Sequence, residues 1–328
     1  MAFLGGIFGG NYMKEGPGVS KDEPKKPPFI RFFQLYFRKF WKLIQLNLIF
    51  MVPTVIVAAM MFLLSLGSFV VQFEISETTM SIDLWKSYVM PIPLILLFPF
   101  IPGLAYVTRN YVREEHAFVF SDFKDAVKGN WKFFLVNGLI TYVCYFIISL
   151  AVRFYSNMMG DNNIMTIPFG ISLLFALLFL FAQFYIPIMA ITFELKFREI
   201  YKNAFIFAIL GLWRNFLLVI VLGVVIFCGV FFAAYIPLVQ ILAFLFVIFL
   251  GFSTLMYSIN FVVYPLIEKY LLKPYLEKDK TDTDVSNEEE KTQEPLVEEA
   301  PKSEFVYING KLVRRDELTS EEQVFNDL

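Results

Sequence analysis

The sequence has little of the side-chain chemistry that enzymes use. It contains two cysteines, Cys144 and Cys228, and a single histidine, His116. Each cysteine lies inside an apolar run with no second cysteine or histidine near it, which favours inert packing over a disulfide, metal site or nucleophile. His116 follows Glu114 and Glu115, but adjacent helix positions point in different directions and HExxH spacing is absent. We therefore expect no metal site and no catalytic residue.

Several catalytic motifs are also missing. The sequence has no Walker-type phosphate loop, no GxSxG elbow and no CxxC pair. These absences argue against an ATPase, a hydrolase and a thiol redox enzyme. We expect a protein that is not an enzyme, with no cofactor and no nucleic-acid partner; a membrane-embedded enzyme is only a third alternative.

Charge is missing from long stretches of the chain. No charged residue occurs between Phe216 and Ile267, and 57% of all residues are hydrophobic, including 40 phenylalanines. A single helix of about 50 residues would be roughly 75 Å long, far more than the roughly 30 Å that a bilayer core requires. The chain must therefore turn, and Tyr235-Ile236-Pro237 is the natural corner because proline disfavours helix continuation.

The apolar runs predict an all-α, polytopic membrane protein with about six transmembrane helices. The spans are expected at residues 43–72, 89–107, 133–154, 167–193, 216–235 and 238–267. They form a membrane domain of residues 29–275. A flexible basic leader, 1–28, precedes it, and an acidic, mostly disordered tail, 276–328, follows it. The partner implied at once is the lipid bilayer.

The second predicted span is unusual because it carries four prolines, at positions 91, 93, 99 and 102. Proline lacks the backbone N–H that a helix uses, although membrane helices tolerate it more often than soluble ones. The segment is therefore either a kinked but complete span or a broken, re-entrant one.

The distribution of positive charge predicts the orientation. Of the 28 lysines and arginines, all but Lys86 and Arg153 fall in segments that share one side when both termini lie together. Positive residues are retained in the cytoplasm. We expect a multi-pass protein of the cell membrane with cytoplasmic N- and C-termini.

Aromatic and basic residues recur where the odd-numbered spans begin. An indole beside a long cation fixes the depth of a helix at the headgroups. The predicted interface anchors are Trp41, Lys42, Trp131, Lys132, Trp213 and Arg214. Before them, the aromatic spacing from Phe29 to Trp41 predicts an amphipathic interfacial helix, with a partner-docking helix as the alternative.

The C-terminal region has a different composition. Residues 277–304 carry 11 acidic residues against 4 lysines, and such a stretch cannot bury enough surface to fold alone. Beyond it, Phe305 to Val313 alternates around Asn309-Gly310, a pattern that predicts a small hairpin.

The polar residues inside the predicted spans are neutral. They include Asn47, Asn137, Gln183 and Asn260. Such amides usually form hydrogen bonds between helices, and the alternative is a path for a polar solute. The absence of charge at the span centres weakens a proton-coupled mechanism.

One stretch of the chain resembles a known family. It is Pro102-Gly103-Leu104-Ala105-Tyr106-Val107-Thr108-Arg109-Asn110-Tyr111-Val112-Arg113-Glu114-Glu115, followed by Val119-Phe120-Ser121-Asp122-Phe123 and Asn130-Trp131-Lys132. The order of a small-residue helix end, a basic stretch, an acidic pair and a V-F-x-x-F segment is similar to the YesL-like bacterial integral membrane proteins, which carry the domain of unknown function 624. Relatives tend to place glycine near the acidic residue, where this chain has Glu115-His116-Ala117.

The resemblance implies a role but no catalytic residue. Members of the family are associated with carbohydrate uptake and utilisation in Gram-positive bacteria, so it implies a non-enzymatic accessory or regulator, with subunits of a sugar transport system as partners. The alternative is a transporter or channel for a neutral solute. The loop from Arg109 to Lys132 carries the densest resemblance and is expected either to contact a partner or to lie among lipid headgroups. The candidate contact residues are Arg109, Arg113, Phe120, Phe123 and Lys124.

Overall fold

Six membrane-length helices dominate the structure, as predicted. The computed structural model describes residues 27–75, 78–158, 163–273, 305–308 and 311–314. Within those residues, six helical segments are long and apolar enough to cross a membrane. The chain is therefore an all-α, multi-pass membrane protein. Spans 1 to 6 are Phe40–Ser65, Trp85–Val112, Val119–Met158, Asn163–Thr192, Leu212–Tyr235 and Pro237–Leu272.

Some spans are built from more than one kind of helix. Span 2 comprises a π turn, a 3-10 segment and an α-helix: Trp85–Val89, Ile92–Phe100 and Ile101–Val112. Span 4 has a 3-10 turn, Asn163–Met165, before the α-helix Thr166–Thr192. Span 6 alternates α-helix and π turn as Pro237–Phe246, Val247–Gly251, Phe252–Ile267 and Glu268–Leu272. A connecting helix, Phe197–Leu210, lies between spans 4 and 5.

Residues up to Arg38 form a unit of their own. The described part of this unit contains the helix Pro28–Arg38. Aromatic side chains four residues apart contact each other along it: the Phe29 and Phe33 rings meet edge-on with centroids 5.0 Å apart, and the Phe33 and Phe37 rings stack with centroids 6.2 Å apart. All three rings are exposed. The predicted amphipathic helix is thus formed, while most of the predicted leader lies outside the described residues.

Span 1 ends earlier than predicted. Its helix stops at Ser65, and the chain then forms an antiparallel hairpin of β1 (Val70–Ile75) and β2 (Thr78–Asp83). The reason lies at Gly67, where an added Cβ would come within 2.4 Å of the Trp85 ring. The indole Nε1 donates to the backbone oxygen of Leu64 at 2.7 Å, which closes the end of the helix. Residues 66–72 therefore belong to a loop and a strand.

The proline-rich span 2 is helical through almost all of its length. Its 3-10 segment covers nine residues and contains Pro93 and Pro99. Proline cannot donate to an α-helical ladder, and the tighter 3-10 pattern accommodates this loss locally. The span is long enough to cross a membrane as one segment. The corner between spans 5 and 6 is where it was predicted: Ile236 is extended and Pro237 opens span 6.

Burial divides the membrane domain into two halves. We define the packed half as Ile101–Val112 of span 2, residues 181–193 of span 4, residues 253–267 of span 6 and the connecting helix. Ten of the twelve residues of Ile101–Val112 are buried, so this helix is the centre of the core. The surrounding cluster comes mainly from span 4, span 6 and the connecting helix.

The remaining half is open. We define the open half as residues 139–158, 166–178, 219–235 and 237–252, and none of the residues in these ranges is buried. Spans 5 and 6 form a hairpin there whose apolar side chains are mostly exposed. The C-terminal ends of spans 2, 4 and 6 lie at the packed half. We call this end of the bundle the basic end.

The predicted C-terminal hairpin is present in the described residues. β3 (Phe305–Ile308) pairs antiparallel with β4 (Lys311–Arg314), with Ile308 opposite Lys311. The rest of the predicted acidic tail, residues 276–304 and 315–328, lies outside the described residues.

Candidate functional site

A fully buried arginine joins spans 2 and 4 at the basic end. Arg109 is only 1% exposed. Its Nη1 donates to the backbone oxygen of Ile191 at 3.1 Å and to Oγ1 of Thr192 at 3.0 Å. Its Nε and Nη2 donate to Oδ1 of Asn110 at 3.3 and 3.1 Å, and its guanidinium lies 4.7 Å from the centre of the Tyr106 ring. The guanidinium thus connects two helix ends through neutral acceptors.

The charge of Arg109 is stabilised without a carboxylate partner. Among the described residues, the nearby carboxylate of Glu115 pairs with Arg113 at 2.6 Å and not with Arg109. Span 4 ends at Thr192, and the last carbonyls of a helix carry the negative end of its dipole. Arg109 donates directly to this helix end. The Arg109 guanidinium therefore caps the C-terminal end of span 4.

The turn after Arg109 has a defined geometry. The backbone N–H of Glu115 donates to the oxygen of Asn110 at 2.8 Å, and that of Glu114 donates to the oxygen of Tyr111 at 3.1 Å. Glu114 has a positive φ of 64°. These bonds form a Schellman motif, in which glycine is usually found at the left-handed position. The chain thus makes a tight turn with glutamate at this position.

An asparagine joins span 6 to the same helix. Nδ2 of Asn260 donates to Oγ1 of Thr108 at 2.8 Å and to the backbone oxygen of Met256 at 3.1 Å. Its Oδ1 and the hydroxyl of Tyr111 are buried polar atoms without a hydrogen-bond partner among the described residues. Asn260 therefore fixes span 6 against span 2 and leaves one acceptor unused.

Three further hydrogen bonds lie beside the packed half. Nδ2 of Asn137 donates to Oε1 of Gln183 at 3.2 Å, and the Tyr201 hydroxyl donates to Oδ1 of Asn137. Burial raises the pKa of Tyr201 to about 12, so the hydroxyl remains a donor at neutral pH. The Tyr185 hydroxyl donates to Oδ1 of Asn215 at 2.9 Å. These side chains connect spans 3, 4 and 5 with the connecting helix.

A fourth contact lies where the two halves meet. Nδ2 of Asn47 in span 1 donates to the backbone oxygens of Val247 and Ile248 at 3.0 and 2.6 Å. The backbone N–H of Ser253 donates to Oδ1 of Asn47 at 3.0 Å. A π turn leaves backbone groups of a helix without their usual partners. Asn47 supplies these partners for the π turn in span 6.

The chemistry of these contacts is structural. Apart from Arg109, each joins neutral amides, hydroxyls and backbone groups. Within the part of the chain that the structure describes, no group of three or more His, Cys, Asp or Glu side chains could hold a metal ion. Polar contacts between membrane helices typically contribute about 0.6 to 2 kcal/mol each. The arrangement can position helices firmly.

The start of span 3 presents a surface of another kind. We call residues 118–132 the span 3 arm. One side of the arm is buried against the core at positions 123, 126 and 130, while the other side is exposed. Phe118 and Phe120 are 69% and 68% exposed. The carboxylate of Asp122 accepts from the backbone N–H of Phe118 at 2.9 Å and caps the helix start.

The arm extends beyond the membrane-crossing part of its span. Val119–Met158 has 40 residues and so is roughly 60 Å long, about twice the thickness of a bilayer core. The twenty residues from Phe133 to Val152 contain no charged side chain and cover about 30 Å. The arm, in contrast, carries five charged residues in its helix. The apolar stretch therefore accounts for the crossing, and the arm lies outside the hydrocarbon.

The structure separates the predicted contact residues into two groups. Phe120 and Lys124 are exposed on the arm, and Arg113 is half-buried beside the Tyr264 ring. Arg109 and Phe123 are buried. The Phe123 ring packs on Gly103, where an added Cβ would be 2.4 Å away. Arg109 and Phe123 thus make internal contacts, and only the other three are accessible to a partner.

The predicted interface anchors are exposed, except for Lys42. Trp41 and Trp213 are 74% exposed and Trp131 is 44% exposed. The ammonium of Lys132 lies 5.7 Å from the centre of the Trp131 ring. Lys42 is half-buried, while Lys132 and Arg214 are exposed. This placement is compatible with the anchoring role proposed for them.

Other residues of the site were missed. No sequence pattern singles out Thr108, Thr192, Tyr185 or Tyr201, which are the partners of the buried amides and of Arg109. Lys128 was missed as well. Its spacing of four residues from both Lys124 and Lys132 was a visible signal, because such positions share one helix face.

The fold and the site define a helical, multi-pass membrane protein whose buried polar residues hold helices together. Residues 71–152 match the family described as Protein of unknown function, DUF624. The resemblance to the domain of unknown function 624 is thereby confirmed. The matched region includes span 2, the Arg109 turn and most of span 3. No curated protein and no solved structure matches the chain.

Proposed function

We propose that the protein is a YesL-like, non-enzymatic accessory or regulator of a carbohydrate transport or utilisation system in the cell membrane of a Gram-positive bacterium. The polar contacts of the membrane domain support this proposal, because they occupy most of the neutral amide groups that a polar solute would otherwise meet. Asn47, Asn137 and Asn260 all donate to protein acceptors.

The single observation that carries the proposal is the exposure of the span 3 arm. Phe120 lies eleven residues before Trp131, about 16 Å along the helix axis. The headgroup layer adds only about 5–8 Å to each side of the hydrocarbon core. With Trp131 at headgroup depth, Phe120 lies beyond the lipid and exposes an aromatic ring to water. A cytoplasmic protein partner would cover it, as aromatic anchors commonly do in interfaces.

Co-purification from native membranes tests the arm as a docking surface. The variant combines Phe120→Ser with Lys124→Glu, which removes the aromatic anchor and reverses its neighbouring charge. The matched control is Ile206→Ser with Lys202→Glu in the connecting helix, two exposed residues with the same spacing. We expect the arm variant alone to lose the transport subunits recovered with the unmodified protein. Equal recovery with all three proteins would rule out docking through the arm.

The proposed orientation places both termini in the cytoplasm. Cysteine labelling in intact cells tests it in a background that lacks Cys144 and Cys228. A membrane-impermeant reagent should not label Ser286→Cys in the tail. It should label Asn157→Cys, which is exposed at the other end of span 3. The reverse pattern would invert the topology.

A transporter or channel for a neutral solute is the second candidate. It is favoured by the irregular segments Ile92–Phe100 of span 2 and Val247–Gly251 of span 6, because discontinuous membrane helices often form solute sites. Uptake of labelled neutral sugars by proteoliposomes containing only this protein distinguishes the candidates. Saturable uptake that Asn47→Leu abolishes would favour transport over the accessory role.

A further inference from the structure

Three lysines form a row along the exposed side of the span 3 arm. Lys124, Lys128 and Lys132 are four residues apart, which places them on one helix face with about 6 Å of rise between neighbours. All three are exposed. In the part of the chain that the structure describes, none of them forms an ion pair. Like charges at this spacing repel each other, so the row favours an anionic occupant.

Lipid headgroups can reach only part of this row. Lys132 lies where the apolar stretch of span 3 begins, and Lys124 lies eight residues before it, about 12 Å farther along the axis. The headgroup layer is only about 5–8 Å thick on each side. Lys132 can therefore contact lipid phosphate, while Lys124 extends past it. The full row needs an occupant that reaches beyond the membrane surface.

The chain contains an acidic segment on the same side. Span 3 begins at the end of the bundle where span 6 finishes, since four consecutive crossings lie between these points. Residues 277–304 follow span 6 and carry 11 acidic residues against 4 lysines. Within them, Glu294-Pro295-Leu296-Val297-Glu298-Glu299 places two apolar residues between carboxylates. The arm has the complementary pattern of Phe120 beside lysines.

The acidic segment can also reach the row. Span 6 packs on span 2 through Asn260 and Thr108, and span 2 packs on span 3 through Gly103 and Phe123. Two helix contacts of about 8–10 Å each separate the end of span 6 from the arm by roughly 20 Å. A chain of about 20 residues extends to roughly 70 Å at most. Tethering gives such a segment an effective concentration in the millimolar range, which favours it over a free partner.

We propose that residues 294–299 of this chain bind the row formed by Lys124, Lys128 and Lys132, with Leu296 and Val297 against Phe120. The bound segment covers the surface that the proposed function assigns to a partner. Partner and tail would then compete for the arm. The contact itself requires no partner, so it can be measured in the purified full-length protein.

Cysteine crosslinking in nanodiscs of zwitterionic lipid tests this contact. In the variant used for this test, Cys144 and Cys228 are replaced, and Gly129→Cys is combined with Val297→Cys. Gly129 is suitable because an added Cβ there would meet nothing within 4 Å. The matched control pairs Val297→Cys with Gly170→Cys, an equally open glycine near the other end of the bundle. We expect efficient crosslinking at Gly129 and none at Gly170.

Charge variants establish what holds the segment. Lys124→Glu with Lys128→Glu should lower the crosslinking rate about fivefold, as should 1 M salt, at which the Debye length falls to about 3 Å. Adding Glu294→Lys and Glu298→Lys to the lysine variant should restore the rate. Lys202→Glu in the connecting helix should leave it unchanged. All these residues are exposed or lie in the tail, so we expect every variant to fold. Equal elution volumes in size-exclusion chromatography will verify this.

Two results would overturn the proposal. One is a crosslinking rate at Gly129 that is equal to the rate at Gly170 or insensitive to the lysine variant. The other is loss of the crosslink when anionic lipid replaces part of the zwitterionic lipid, with no recovery in the protein that carries Lys124→Glu, Lys128→Glu, Glu294→Lys and Glu298→Lys. That second result would identify lipid headgroups as the occupant of the row.

Discussion

The packed and open halves differ in how their helices meet, although both are strongly apolar. In the packed half, Gly103 lies against an aromatic side chain, since an added Cβ there would be 2.4 Å from the Phe123 ring. In the open half, Gly170 and Gly223 have nothing within 4 Å of an added Cβ. Lipid solvates apolar side chains well, so hydrophobicity alone does not bring membrane helices together. Close backbone approach and polar contacts determine which half packs.

The strongest test of this comparison is to add the same side chain to a glycine in each half. Gly103→Leu would force the Phe123 ring away, and overpacking of this kind costs roughly 3 kcal/mol. Gly223→Leu should be neutral or slightly stabilising, since leucine has the higher helix propensity and the space is open. Thermal unfolding in detergent measures both. Combining Gly103→Leu with Phe123→Ala should recover part of the loss, and equal stability of the two leucine variants would contradict the division.

A second test removes the polar contact at the boundary between the halves. Asn47→Leu leaves the oxygens of Val247 and Ile248 and the N–H of Ser253 without this partner. We expect a loss of roughly 1–2 kcal/mol, the range for hydrogen bonds in membrane proteins. Gln240→Leu, at an exposed position of the open half, is the control and should not lower stability. Steric trapping in bicelles can compare the two unfolding free energies. A larger loss at Gln240 would show that the open half depends on contacts of its own.

A third test concerns the turn that closes the packed half. Glu114 has a φ of 64°, a conformation that costs a residue with a side chain roughly 1–2 kcal/mol relative to glycine. Glu114→Gly should therefore stabilise the protein by about 0.5–1 kcal/mol after the entropy of the unfolded glycine is included. Glu268→Gly is the control, because Glu268 has helical angles and the substitution should destabilise. Melting temperatures provide the measurement, and a lower value for Glu114→Gly would be inconsistent with the strained turn.

The smallest expected effect is local and lies at the end of the bundle opposite the basic end. The carboxylate of Asp83 accepts from the backbone N–H of Lys86 at 3.1 Å, and this contact lowers its pKa. Because the pKa is lower in the folded state, the stabilisation is present above the ordinary value near 3.8 and is lost as the pH falls through the folded pKa. The hydrogen-exchange protection factors of the Phe69 and Lys86 amides, which both donate to Asp83, should fall slightly on acidification once the intrinsic exchange rates are corrected for. Asp83→Asn should remove this pH dependence, while the core amides of Ile101–Val112 should show no response.

The sequence predicts the spans well because crossing length, charge and proline are local properties. The corner at Ile236 and the pairing of Phe305–Ile308 with Lys311–Arg314 followed from short patterns, whereas the four prolines of span 2 left a complete and a re-entrant span open. The end of span 1 did not, since residues 66–71 after it carry no charge and continue the apolar run. Its position depends on the contact between Gly67 and Trp85, residues that are distant in sequence.

The candidate site was predictable only in part for a similar reason. Lys124 and Phe120 belong to an exposed helix face, which the sequence spacing describes. The burial of Arg109 depends on where span 4 ends, because its hydrogen-bond acceptors are Ile191 and Thr192. The burial of Phe123 depends on Gly103, which provides the space for its ring. Neither partner can be identified from neighbouring residues.

The unbroken helix of span 3 has a mechanical consequence. Val119–Met158 contains no proline and runs from the arm, through the membrane, to the opposite end of the bundle. A helix without a hinge transmits rotation along its whole length. A tilt of about 10° would displace one end of this roughly 60 Å rod relative to the other by about 10 Å. Movement at the Met158 end would thus become a lateral displacement of Phe120 and Lys124 at the other end.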